Sequence, residues 1–157
     1  MRWLVIVFLM ASNYLAQASK NLNNFVRNAD LYLDVNGRSK HIGTDIPYNE
    51  ENTGFGISAT QGNDLVKILT AGGYKNSYGE PSYYAGGGLA KRFGNKNYMD
   101  VGAVGGVVTG YEDKVSPLAA ALLSLGRKDR MRLNFLLAPK FKENPALLMM
   151  NLGIPFR

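Results

Sequence analysis

The sequence is poor in the residues that many catalytic and metal centres use. It has no cysteine, which excludes disulfides, thiolate metal sites and cysteine nucleophiles. It has one histidine, His41, which excludes a metal site built from several histidines. Charged residues are only 19% of the chain, and no apolar run reaches the ~20 residues that a spanning helix needs. The 157 residues are therefore expected to form one domain, with no metal site.

The N-terminus carries the three parts of a secretory signal in order. Arg2 supplies a positive charge, Trp3–Met10 is a short apolar core, and Ala16-Gln17-Ala18 is a cleavage motif. A buried N-terminal helix is the alternative. We predict a signal peptide over residues 1–18 and one exported domain over residues 19–157, of which residues 19–30 form a short helix or a flexible lead-in.

The remaining chain is mildly basic. Without Arg2 it holds 17 basic and 12 acidic residues, a net charge of +5. The basic residues form no single run, which gives little support to nucleic-acid binding. On an exported protein, a basic surface is better suited to lipid phosphates.

Short runs with partial alternation of apolar residues, separated by turn residues, recur along the chain and predict β-strands. Eight such runs are present: Leu31–Lys40, Thr53–Thr60, Asp64–Tyr74, Ser82–Arg92, Tyr98–Thr109, Ser116–Gly126, Arg130–Ala138 and Ala146–Phe156. An even number of short strands after a signal peptide predicts an all-β fold, an eight-stranded antiparallel up-and-down membrane barrel. A soluble, lipocalin-like barrel or a β-sandwich fits the same alternation, and the Ser116 run also suits a buried helix.

Two polar segments contain residues that are capable of chemistry. One holds His41, whose imidazole can accept a proton near neutral pH. The other holds Asn76 and Ser77, a neutral amide and a hydroxyl. A histidine with a serine is the minimum for acyl transfer, and an amide can orient the base or polarise the reacting group. A surface histidine and an ordinary hairpin loop are the alternatives.

The order of several motifs resembles the outer-membrane lipid A palmitoyltransferase family, over about residues 41–157. The similar motifs are Tyr48-Asn49-Glu50, Gly54-Phe55-Gly56, Tyr74-Lys75-Asn76-Ser77-Tyr78, Glu80-Pro81, Ala85-Gly86-Gly87-Gly88, Ala103–Thr109, Pro117–Gly126 and Leu137-Ala138-Pro139. No single motif is specific, and the resemblance lies in their order.

This resemblance implies an eight-stranded barrel in the outer membrane that moves a palmitoyl chain from a phospholipid to lipid A without a cofactor. It implies that His41, Asn76 and Ser77 are catalytic. It further implies that Gly88 closes the end of an acyl-chain cavity. We expect a monomer whose partners are the two lipids and the membrane.

The resemblance also implies that two prolines, Pro117 and Pro139, leave strand edges unpaired for lipid entry, because proline cannot donate to the ladder. One departure matters most: Asn76 stands where the family has an acid. A non-enzymatic outer-membrane barrel that binds lipid or fills a structural role is therefore the alternative function, and a secreted soluble barrel is the third.

Overall fold

The computed structural model describes residues 16–111, 114–140 and 145–156. Residues 16–27 form a helix, α1, which includes the last three residues of the predicted signal peptide. The rest of that peptide lies outside the described residues, and its cleavage stays a prediction. No helix in the described ranges is long and apolar enough to span a membrane.

Eight antiparallel strands follow α1 and close into a barrel in sequence order, with β1 paired to β8. Their bounds are β1 Asp30–Ile42, β2 Glu51–Gln61, β3 Leu65–Lys75, β4 Pro81–Phe93, β5 Asn97–Val108, β6 Ser116–Arg127, β7 Arg132–Ala138 and β8 Ala146–Pro155. All eight predicted strands are confirmed, and so is the barrel. The Ser116 run is a strand, because its backbone pairs with β5 along its whole length.

The outer wall of the barrel is apolar. Large apolar side chains of every strand are exposed on it, among them Leu33, Phe55, Ile57, Leu65, Tyr83, Leu89, Val101, Val107, Leu125, Leu137, Met150 and Leu152. A soluble barrel turns such residues inward, so this wall is the reverse of the lipocalin-like alternative.

The interior holds two buried ion pairs and several buried polar side chains. The Arg92 guanidinium donates to both carboxylate oxygens of buried Asp100, over 2.7 and 2.8 Å. Arg132 lies 3.6 Å from Asp34 and donates to Ser58. A small apolar cluster accompanies these pairs and consists of Val66, Ile68, Ala90 and Leu122, with Val104 and Leu136 packed against it.

The connections divide the barrel into two ends. The turn end carries the short connections at residues 62–64, 94–96 and 128–131, and the loop end carries those at residues 43–50, 76–80, 109–115 and 139–145. His41 and Ser77 lie at the loop end.

A bulge in β1 sets the direction of His41. Before the bulge, the buried residues of β1 are even-numbered, such as Asp34 and Asn36; after it, Ser39 is buried and His41 is half-buried. The pairing register shifts at the same place, against both β2 and β8. The extra residue moves the odd positions to the inner face. Without it, His41 would point away from the barrel.

Candidate functional site

His41 and Ser77 meet at the loop end. The imidazole Nε2 lies 2.9 Å from Ser77 Oγ, a hydrogen-bond distance between residues 36 positions apart in sequence. Ser77 is 7% exposed, so its hydroxyl is largely shielded from water. The histidine–serine pair that acyl transfer needs is therefore present in the folded chain.

Tyr48 fixes the plane of the imidazole. Its ring stacks on His41 with centroids 4.3 Å apart and an angle of 23° between the planes. Tyr78 meets the other tyrosine edge-on at 5.9 Å. The sequence pattern gave Tyr48 no role, and its place in the Tyr48-Asn49-Glu50 motif was the only indication of one.

Glu50, in the β1–β2 loop, contacts β1 beside His41. Its carboxylate forms an ion pair with Lys40 at 3.1 Å and accepts the backbone N–H of His41 at 3.4 Å. The hydrogen bond from the lysine, followed by the one from the His41 backbone, lowers the pKa of this carboxyl, so Glu50 stays ionised beside the site. It contacts the backbone of His41 rather than the ring.

The other ring nitrogen of His41 has no hydrogen-bond partner among the described residues. This atom, Nδ1, is buried. In a serine–histidine–acid triad, a carboxylate accepts the proton from that atom. The pair seen here is therefore a dyad.

Asn76 is fully buried and its amide is fully engaged. It donates to Ser82 Oγ at 3.1 Å and to the Gly110 carbonyl at 2.6 Å, and its oxygen accepts the backbone N–H groups of Tyr78 and Glu80. The bond to Gly110 joins the β3–β4 loop to the β5–β6 loop, and the other three lie within the β3–β4 loop and the start of β4. Asn76 thus holds the loop that presents Ser77, and its polarising role toward a substrate stays a prediction.

Gly110 makes that contact possible. It has a positive φ of 85°, and a Cβ there would lie 2.5 Å from the Pro81 carbonyl and 2.3 Å from Ser82 Oγ. Only glycine combines this conformation with so close an approach.

Asn49 joins the β1–β2 loop to the same segment. Its side chain donates to the Asn76 carbonyl at 2.9 Å, and its backbone N–H donates to the Ser77 carbonyl at 2.8 Å. Asn52 donates to the Lys75 carbonyl at 2.9 Å. Hydrogen bonds to backbone carbonyls therefore hold the loop that follows His41 against the loop that carries Ser77. This fixes the distance between the His41 and Ser77 side chains.

Gly88 lies far from this pair, on the inner face of β4. A Cβ there would lie 2.2 Å from the Ala103 carbonyl oxygen and 2.7 Å from a methyl group of Val104. Close packing of neighbouring strands thus requires a glycine, whether or not an acyl chain reaches it. That Gly88 closes the end of an acyl-chain cavity stays a prediction.

The two prolines lie near the loop end of the β6–β7 pair. The β6–β7 ladder runs only from Ala121–Leu137 to Gly126–Arg132, so β6 residues 116–120 have no described partner on β7. Pro117 lies in this stretch, and Pro139 follows the last residue of β7. The unpaired strand edges at the two prolines, and the passage of lipid between them, stay predictions.

No metal centre accompanies the dyad in the part of the chain that the structure describes. There, no group of three or more histidine, aspartate or glutamate side chains is placed to hold an ion.

Comparisons with known proteins match the fold and not the sequence. No protein-family model and no curated protein matches the chain. Among solved structures, the outer-membrane protein Ail of Yersinia pestis in a phospholipid nanodisc has 12% identity and a TM-score of 0.49, covering 82% of this chain and 99% of its own. A crystal structure of Ail, the attachment invasion locus protein, has 13% identity and a TM-score of 0.47, covering 81% and 95%. At this similarity no activity transfers from one barrel to another, and the resemblance to the palmitoyltransferases stays unconfirmed.

Proposed function

We propose that this barrel spans the outer membrane. The support is the distribution of its side chains: exposed apolar residues cover the outer wall, while charged pairs such as Arg92–Asp100 are kept inside. A closed barrel also satisfies its own backbone hydrogen bonds, as hydrocarbon requires. Refolding in detergent micelles is expected to give a β-rich spectrum and heat-modifiable gel mobility. A detergent-free soluble monomer with the same spectrum would refute the membrane assignment.

We further propose that the protein is an acyltransferase, which moves a palmitoyl-type chain from a phospholipid to lipid A. The observation that carries this is the 2.9 Å contact between His41 Nε2 and Ser77 Oγ. It places a base and a hydroxyl together at the loop end of a barrel whose wall is suited to lipid.

The chemistry follows from that contact. His41 takes the proton of Ser77 as the serine oxygen bonds to the carbonyl carbon of the donor ester. The ester bond to the phospholipid breaks, and the proton passes from His41 to the departing glycerol oxygen. The acyl chain is then on Ser77, and a lysophospholipid leaves. A hydroxyl of lipid A attacks the acyl-serine, and His41 carries its proton back to Ser77 Oγ.

Burial of the serine favours transfer over hydrolysis. Ser77 is 7% exposed, so water has little access to an acyl group on its oxygen. Lipid would enter sideways at the start of β6, around Pro117, where the described part of β7 provides no pairing partner.

The test is an assay of acyl transfer in mixed micelles of a phospholipid and lipid A. General-base help is typically worth about 10²–10⁴ in rate, so we expect His41→Ala and Ser77→Ala each to lose at least ~100-fold. Ser39→Ala is the matched control: this serine is also buried, lies two residues before His41 and has no hydrogen-bond partner for its hydroxyl among the described residues. Trapped wild-type enzyme should show an acyl-sized mass increase on Ser77.

Transfer that survives both substitutions would overturn the proposed mechanism. A folded wild-type barrel with no transfer would instead favour the second candidate, a non-enzymatic barrel that binds lipid. Two observations support that candidate: Nδ1 of His41 has no partner in the described structure, and the Asn76 amide is already saturated by its own loop.

A further inference from the structure

A groove runs along the outer wall near the loop end, and its lining includes Lys75 and Gly79 on either side of buried Ser77 in the sequence. In one row of paired residues, Phe55 of β2 faces Gly73 of β3, which faces Tyr83 of β4. The two aromatic side chains are each 66% exposed. Gly73 between them has no side chain, so the row is a slot with two aromatic walls. The space it encloses is about 490 Å³.

Beyond the lining of the groove, the outer wall toward the turn end carries small residues. In the next outward-facing row, Ala71 pairs with Ile57 and with Ala85. Leu69 follows two positions further along β3. At about 3.3 Å per residue, Gly73 to Leu69 spans ~13 Å along the strand, or ~10 Å of depth at the usual tilt of ~35–45°, which lies within the ~15 Å of one leaflet of a bilayer core.

A positive charge lies at the loop end of the slot. Lys75 is exposed, and none of the ion pairs within the described ranges uses it. Its stem lies near the turn at Gly79, where a Cβ would be 3.6 Å from the lysine Cε. The slot is apolar with aromatic walls, and at its outer end lies an ammonium that forms no ion pair with the described residues. This polarity matches a single lipid molecule, with its acyl chain in the slot and its phosphate at the lysine.

We propose that this groove holds one glycerophospholipid, with an acyl chain between Phe55 and Tyr83 over Gly73 and the phosphate on Lys75. This lipid site differs from the proposed chemistry, because Phe55 and Tyr83 are exposed on the outer wall whereas Ser77 is buried. It requires that the barrel lies in a membrane and does not require that it transfers acyl chains.

The test is native mass spectrometry of the detergent-solubilised protein with dioleoylphosphatidylglycerol. Wild type is expected to retain one lipid through mild activation. Gly73→Val should abolish retention, because its Cβ lies only 3.1 Å from the Tyr83 ring and its methyl groups fill the slot. Gly105→Val is the matched control, since this glycine also faces outward and a Cβ there meets nothing closer than 3.6 Å.

Lys75→Gln should weaken retention about fivefold, the typical effect of one basic residue near a lipid surface. Lys96→Gln, the same change at an exposed turn of the other end, should leave it unaltered. If Gly73→Val shows no heat-modifiable mobility, and so does not fold, Tyr83→Ala replaces it as the test. Tyr83→Ala removes one aromatic wall of the slot and should also reduce lipid retention. Ser77→Ala should retain the lipid, which separates this site from the transferase.

Three results would overturn the proposal. One is a wild type that retains no lipid. Another is an equal loss in the Gly105→Val and Gly73→Val variants. The third is retention of diphosphorylated lipid A in preference to the phospholipid, because the groove would then belong to the other lipid class.

Discussion

Asn76→Asp restores the acid of the palmitoyltransferase pattern, and the structure predicts that it destabilises the barrel. The amide donates to the Gly110 carbonyl at 2.6 Å and to Ser82 Oγ at 3.1 Å, and Asn76 is 0% exposed. An ionised carboxylate has no hydrogen to donate. The change therefore replaces a donor by a second oxygen against the Gly110 carbonyl, in a site shielded from water.

The magnitude follows from those contacts. Each hydrogen bond lost is worth about 0.5–1.5 kcal/mol net, and a buried group left unsatisfied costs about 1–3 kcal/mol. The serine hydroxyl can rotate to donate, whereas the Gly110 carbonyl cannot. We expect the free energy of unfolding to fall by at least ~2 kcal/mol at pH 7.

The loss should depend on pH. Burial without a cation raises the pKa of the introduced carboxyl above its unfolded value. When protonated, it can donate to the Gly110 carbonyl again. The introduced carboxyl thus has a higher pKa in the folded state than in the unfolded state. The variant keeps its stability below the unfolded pKa of about 3.9 and loses it as pH rises through the folded pKa. The variant should therefore approach wild type near pH 4 and diverge from it toward pH 7.

The assay is reversible urea unfolding in lipid vesicles, followed by tyrosine fluorescence and by heat-modifiable mobility at several pH values. Asn95→Asp, at an exposed turn, is the matched control and should differ from wild type by less than ~0.5 kcal/mol. Equal stability of Asn76→Asp and wild type at pH 7 would refute the reasoning, and would mean that the loop rearranges to accept the acid.

Two further changes test the barrel wall and its interior. Gly88→Ala should destabilise by about 1–3 kcal/mol, because its Cβ meets a backbone carbonyl oxygen at 2.2 Å, whereas Gly105→Ala should be nearly neutral; equal urea midpoints would contradict this. Arg92→Leu should cost about 3–5 kcal/mol by leaving Asp100 buried without its partner, and a joint replacement of both by leucine should recover much of that loss in the same unfolding assay.

The candidate site was predicted from the sequence in its members but not in its geometry. His41 is the only histidine, so the choice of base needed no structure. Its pairing with Ser77 followed from the resemblance, and the 2.9 Å contact agrees with it. The hydrogen bonds from Asn76 to Ser82 and Gly110 were not predictable, because they depend on the conformation of the β3–β4 loop and on the pairing of β4 with β5.

The sequence by itself determined the eight strands and their order. Alternation has a period of two residues whatever the tertiary contacts, and turn residues mark where each strand ends. It did not determine which face points outward, since alternation is symmetric between an apolar core and an apolar wall. The direction in which the sheet curves on closing decided that, by placing Arg92 and Asp100 inside and Phe55 outside.

The direction of His41 was likewise decided by tertiary structure. Continued alternation along β1 would place this odd-numbered residue on the outer wall beside Leu33. A bulge between Asn36 and Ser39 interrupts that alternation, and the pairing registers with β2 and with β8 both shift there. The extra residue turns His41 toward Ser77, so the site exists because the strand pairing is irregular at that point.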